Sequence, residues 1–189
     1  GGLYGFANRN QVGQPGDLQQ FNYEAISGDF DKSVKITSIT SNVDGDTANN
    51  SGGLAARVSM DALSPSFFVN VTSPGGANNI NARGRVIQGQ NLTTFSRDYA
   101  GVGDVLPNQW IRLRRVGNYL AAYVGTNGTT WTLIAERWNE WPSTLLVGTY
   151  AQSAGYKITE GVAEGNLTQT TVGFASYGNT MVSDTTRPT

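Results

Sequence analysis

The sequence predicts an all-β protein, built as a two-sheet antiparallel β-sandwich. Three observations carry that prediction. Apolar and polar residues alternate with period two in run after run, capped helical periodicity is nearly absent, and tight-turn signals separate the runs. Strands with one apolar face each must bury those faces against another sheet, which makes a stacked pair the expected outcome.

The runs follow in chain order. Val34, Ile36 and Ile39 sit in residues 33–40. Leu54, Ala56 and Val58 alternate with Ala55, Arg57 and Ser59, and Phe67, Val69 and Val71 alternate with Phe68 and Asn70. Ile111 and Leu113 alternate with Arg112 and Arg114. Leu120, Ala122 and Val124 alternate with Tyr119, Ala121 and Tyr123. Late runs at 130–136, 145–151 and 171–177 bring the expectation to roughly ten or eleven strands. Gly117-Asn118 and Asn127-Gly128 are hairpin signals, because these residues accept positive φ. Pro74-Gly75-Gly76 marks another turn.

Composition bounds the function. At 189 residues the chain fits one sandwich domain, expected over residues 1–180. Residues 181–189, polar, β-branched and Pro-containing, are expected to link it to a neighbouring domain of the same chain. Charged residues make up only 14% of the sequence and the net charge is −1, so nothing electrostatic points to nucleic acid. No apolar run approaches the roughly 20 residues of a membrane helix, and no membrane insertion is expected. The absence of Cys and His removes thiol nucleophiles, Cys/His zinc sites and Ser-His-Asp triads. No leader-like segment opens the chain, so a secretion signal is expected to have been removed or to lie upstream.

Several segments resemble a known family. Gly28-Asp29-Phe30-Asp31, Gly53-Leu54-Ala55-Ala56-Arg57 and 66–72 are followed by 110–119 and by Thr126-Asn127-Gly128-Thr129-Thr130-Trp131. In order and spacing they are similar to the concanavalin A-like (laminin G-like) jelly-roll modules of large bacterial secreted and surface proteins. The resemblance implies a two-sheet jelly roll, often lectin-like, placed beside glycosidases, adhesins and repeat domains. It implies a secreted or cell-surface location and a glycan or cell-surface polysaccharide as partner. The chain departs from the pattern at Thr126 and Asn127, where Ser and Asp are usual.

Candidate chemistry is sparse. Glycosidic hydrolysis needs two carboxylates roughly 5–9.5 Å apart on a cleft. The nearest acidic pair, Glu136 and Glu140, would stand about 13 Å apart along a strand, so no enzyme is expected. The 44–50 segment, Asp44-Gly45-Asp46-Thr47-Ala48-Asn49-Asn50, offers hard oxygen ligands suited to Ca²⁺, with Asp29 and Asp31 expected nearby. The competing reading is a solvated turn.

Sugars bind aromatic platforms flanked by planar polar groups. Two clusters answer that description: Trp138, Trp141 and Tyr150, and a polar face of Arg57, Arg85, Arg112 and Arg114 beside Tyr119 and Tyr123. Packed rims and a solvated outer face are the bland alternatives. Trp110 and Trp131 are assigned to core or hairpin packing. Sequons occur at Asn49, Asn70, Asn91, Asn127 and Asn166. The expected function is a non-catalytic carbohydrate-binding or adhesion module. The alternatives are a structural spacer, filament or capsid-decoration subunit, and more distantly a glycoside hydrolase.

Overall fold

A computed structural model describes residues 2–3, 19–41, 50–72, 80–95, 106–152, 156–159, 162–167 and 170–180. Pro74-Gly75-Gly76 and residues 181–189 lie outside them. The described residues form fourteen strands and no helix: β1 (Gly2–Leu3), β2 (Gln20–Ser27), β3 (Phe30–Ser41), β4 (Ser51–Arg57), β5 (Ser66–Thr72), β6 (Ile80–Arg85), β7 (Thr93–Thr94), β8 (Gln109–Val116), β9 (Tyr119–Gly125), β10 (Thr132–Trp138), β11 (Thr144–Gln152), β12 (Tyr156–Thr159), β13 (Val162–Leu167) and β14 (Thr170–Asn179). Seven strands make one sheet in the order β1-β2-β11-β4-β5-β6-β7, and five make a second in the order β10-β9-β8-β3-β14. β12 and β13 pair separately. Every ladder is antiparallel.

The core lies between the sheets, where alternation places it. Leu54, Ala56, Phe67, Val69, Ile80, Ala82, Leu145 and Val147 come from the seven-stranded sheet. Val34, Ile36, Ile111, Leu113, Leu120, Ala122 and Val124 meet them from the five-stranded sheet. The gain is roughly 1.5–3 kcal/mol for each large aliphatic or Phe side chain removed from water.

Both sequence-signalled hairpins form. Gly117 joins β8 to β9 at φ +58, and Gly128 sits at φ +76 in the connection between β9 and β10. There Asn127 Oδ1 accepts the N–H groups of Thr129 (3.0 Å) and Thr130 (2.8 Å). Gly128 rests on the Trp110 ring, which would lie 3.0 Å from any added Cβ. Trp110 is therefore a hairpin-packing residue.

One polar cluster fastens the two sheets together. Glu24 on β2 takes Lys32 Nζ at 2.7 Å and the Tyr177 hydroxyl at 2.8 Å. Tyr177 lies with Ser176, at φ +56, in a bulge of β14. The hydrogen bonds from Lys32 and then Tyr177 hold the Glu24 carboxyl below the usual carboxylate range against the cost of its burial. Burial, reinforced by the Glu24 carboxylate, pushes the Tyr177 phenol up.

Candidate functional site

The outer face of the seven-stranded sheet is not the solvated surface that a simple sandwich would show. Its ladders align side chains in rows that cross several strands. One row reads Phe21, Tyr150, Gly53, Asn70, Asn81. The next reads Tyr23, Gly148, Ala55, Phe68, Arg83, Thr94. A third reads Ala25, Leu146, Arg57, Ser66, Arg85.

The third row is covered by chain. Arg57 donates from Nη2 to the Asp61 carbonyl at 2.7 Å and from Nε to that of Ser59 at 3.3 Å. Arg85 donates from Nη1 to the Ser64 carbonyl at 3.0 Å and from Nε to that of Gln90. The two buried guanidinium groups thus hold loops 58–65 and 86–92 over the sheet, and Met60 and Leu92 from those loops pack on the aromatic cluster. Arg57 and Arg85, offered by the sequence as part of a sugar-binding polar face with a solvated surface as the alternative, are buried and bound to loop carbonyls instead of standing in solvent. A carbonyl-rich loop crossing a sheet needs donors beneath it, and a long arginine supplies several.

The first row has unmet polar demand. Asn70 and Asn81, directly opposite each other, are 3% and 2% exposed, and the Oδ1 of each has no hydrogen-bond partner among the described residues. Gln19, in phase with Phe21 just ahead of β2, is equally buried and its Nε2 is unpartnered. Ser66 Oγ in the third row is unpartnered too. Each such group costs about 1–3 kcal/mol unless something meets it. Rings lie alongside: Tyr150 meets Phe68 edge-to-face at 5.3 Å, and Phe21 stacks on Tyr23 at 5.3 Å. Donor and acceptor capacity beside ring faces is the chemistry that recognises a polyhydroxylated ligand. The alternation of β5 signalled the outward set of Phe68 and Asn70, but nothing marked Asn81, because β6 was not recognised as a strand. The burial of Asn70 also removes its sequon from the exposed ones.

The remaining sequence-selected residues lie elsewhere. Arg112 and Arg114 are on the outer face of the five-stranded sheet, not with Arg57 and Arg85. Arg112 is packed over Tyr123 (4.9 Å) and Trp131 (5.6 Å), and Arg114 Nε lies 3.8 Å from Asp31. Tyr123 and Trp131 are therefore walls for a buried cation. The aromatic cluster also divides. Tyr150 is buried under the seven-stranded sheet's outer face, whereas Trp141 packs at the rim of the core and donates from Nε1 to the Val86 carbonyl at 3.0 Å. Trp138, 51% exposed, stands opposite Tyr119, 39% exposed, at the end of the β9–β10 ladder.

Asp44 and Asp46 lie outside the described residues. Asp31 is held by Arg112, and Asp29 Oδ1 accepts the Gly117 N–H at 2.7 Å. Both sit at the start of β3, and Ser41, which leads into 42–49, ends that strand roughly 33 Å further on. Among the described residues no three His, Cys, Asp or Glu side chains gather as metal ligands. Glu140 lies beyond the end of β10, so it does not share a strand with Glu136.

Together these features define an all-β, two-sheet antiparallel β-sandwich of the jelly-roll kind. No protein-family model and no curated protein matches the chain. Solved structures do. A functionally unknown protein from Saccharomyces cerevisiae superimposes over 94% of this chain and 84% of its own, with TM-score 0.63 and 12% identity. The GH43 BlXynB protein from Bacillus licheniformis matches 90% of this chain with TM-score 0.57 and 10% identity. This chain spans only 31% of that protein's length. A looser match, TM-score 0.43 and 12% identity over 71% of this chain and 69% of its own, is the basic winged bean lectin solved with Tn-antigen. At these identities the likeness is one of fold.

Proposed function

We propose that this chain is a non-catalytic carbohydrate-binding or adhesion module of a secreted or cell-surface protein. Its binding face is placed on the outer side of the seven-stranded sheet, whose Asn70, Asn81 and Tyr150 are themselves buried. The carrying observation is the pair of buried, facing asparagines whose carbonyl oxygens lack partners beside aromatic rings. Sugar hydroxyls meet such acceptors, and sugar C–H faces lie on rings. The three rows hold no carboxylate, and hydrolysis of a glycosidic bond calls for two. That supports binding rather than turnover. The GH43 protein gives a precedent for the same fold within a longer chain.

The test is retention of the protein in gels cast with single polysaccharides, comparing the wild type with Asn70→Ala/Asn81→Ala and Trp138→Ala. The asparagine pair should lose retention while still melting as one cooperative, folded species, and Trp138→Ala should keep both its retention and its melting temperature. Wild-type protein that no polysaccharide retards would remove the glycan reading and leave a structural spacer.

A further inference from the structure

We infer that the outer face of the five-stranded sheet holds a separate binding site, for a quaternary ammonium group, formed by Trp138, Tyr119 and Glu136. It stands apart from the glycan face proposed above and does not depend on it.

The β9–β10 ladder brings the three together. Trp138 faces Tyr119 directly across it, and Glu136 faces Ala121. Opposite residues share a side of a sheet, as do residues two apart on one strand. All four therefore project from the same side, with Glu136 about 7 Å from Trp138 along β10. The quartet holds two rings, one carboxylate and one methyl group. Both rings are open to solvent, and the row they form continues to Val116 on β8.

The charges around this pair suit a cation. Elsewhere the chain's own cations occupy its rings: Lys32 lies over Tyr177, Arg57 over Phe68, Arg112 over Tyr123 and Trp131, and Arg137 over Phe95. Among the described residues no cation lies over Trp138 or Tyr119, and Glu136 has no ion pair. Arg137 stands between Glu136 and Trp138 in sequence, so it projects from the opposite side of the strand, where it meets Phe95. Arg114, two strands from Glu136 in the same row, lies 3.8 Å from Asp31. A cation over an exposed ring pair is drawn by the ring quadrupoles, and a carboxylate beside them adds its own attraction.

The scarcity of acceptors selects the kind of cation. A primary ammonium carries three N–H donors and loses hydrogen bonds to water unless acceptors replace them. The quartet offers a single carboxylate. A quaternary ammonium has no N–H to satisfy, and its methyl groups gain dispersion contact with the ring faces. An uncharged group of the same shape would gain the dispersion without the electrostatic attraction.

Choline and its carbon isostere, in which a quaternary carbon replaces the nitrogen, share a shape and differ in charge. Each is titrated into the nitrogen-labelled full chain at constant ionic strength, with butylammonium alongside. The tryptophan indole signals and the backbone amides of Tyr119 and Glu136 are followed in wild type, Trp138→Ala and Glu136→Gln. The indole signal missing from Trp138→Ala identifies that ring. Choline should move it saturably, binding at least about tenfold more tightly than the carbon isostere and about threefold more tightly than butylammonium. Trp138→Ala should lose the saturable response of the amides, and Glu136→Gln should weaken choline about threefold, both with melting temperatures unchanged. A Trp138 signal that choline leaves in place, equal binding of choline and its isostere, tighter binding of butylammonium, or undiminished choline affinity in Trp138→Ala would overturn the assignment.

Discussion

Arg112 forks onto Asp31 across the β3–β8 ladder, with Nε 2.7 Å from Oδ1 and Nη2 2.5 Å from Oδ2. The guanidinium is almost wholly buried between Tyr123 and Trp131, while the carboxylate keeps some contact with water. Removing an anionic partner from a buried cation is costly. Asp31→Asn should therefore destabilise the fold by about 3 kcal/mol in urea unfolding. A loss under about 0.5 kcal/mol would mean that the rings and Arg112's other contacts suffice.

The loop braces give a second expectation. Arg85→Met keeps the length of the side chain but leaves the Ser64 and Gln90 carbonyls without its donors. Loops 58–65 and 86–92 should show faster amide exchange, with a loss of about 2 kcal/mol in stability. Unchanged exchange in both loops would show that Met60 and Leu92 hold them by packing alone.

Two turns can be tested against one strand. Gly117→Ala, at φ +58 in open space, should cost about 1 kcal/mol from the backbone alone. Gly128→Ala adds a Cβ 3.0 Å from the Trp110 ring and should cost about 2 kcal/mol. Gly178→Ala, with no neighbour within 4 Å and an ordinary φ, should stay within about 0.5 kcal/mol. Equal effects at all three would contradict the turn geometry.

The Glu24–Lys32–Tyr177 cluster makes stability depend on pH in two windows. The Glu24 carboxyl titrates below its ordinary 4.5 in the fold, so its contribution is complete above that value and fades as pH falls through the lower folded one. The Tyr177 phenol titrates above its ordinary 10.0, so its contribution is complete below that value and fades as pH rises through the higher folded one. The gap in melting temperature between wild type and Glu24→Gln should narrow in acid, and that between wild type and Tyr177→Phe should narrow in alkali. Gaps that stay constant through both windows would refute the coupling.

The two candidate tryptophans should behave differently. Trp141→Phe removes the bond to the Val86 carbonyl and should cost about 1 kcal/mol. Trp138→Ala, half-exposed on edge strand β10, should change stability by less than about 0.5 kcal/mol. A larger loss at Trp138 than at Trp141 would reverse their assignments.

Much of the fold was legible because alternation is a local signal. Phe67, Val69 and Val71 announce an inward face, and Gly117-Asn118 announces its turn, with no knowledge of the partner strand. β6 was missed although Ile80, Ala82 and Gly84 do alternate with Asn81, Arg83 and Arg85. An inward face of one Ile, one Ala and one Gly is too weakly apolar to stand out. The candidate site suffered more. Asn70 and Asn81 are eleven positions apart in sequence and meet only because β5 and β6 pair in one register. Trp138 and Trp141, three positions apart, diverge because β10 ends between them.

By itself the sequence determined the class: short alternating strands, glycine and asparagine turns, and no Cys or His to support thiol, zinc or triad chemistry. Period-two patterning is set residue by residue, so it can be read residue by residue. Only the tertiary structure decided which polar groups share a face and which arginines are spent on loop carbonyls. Those outcomes depend on strand order and register, where a shift of one residue would turn every side chain to the other face.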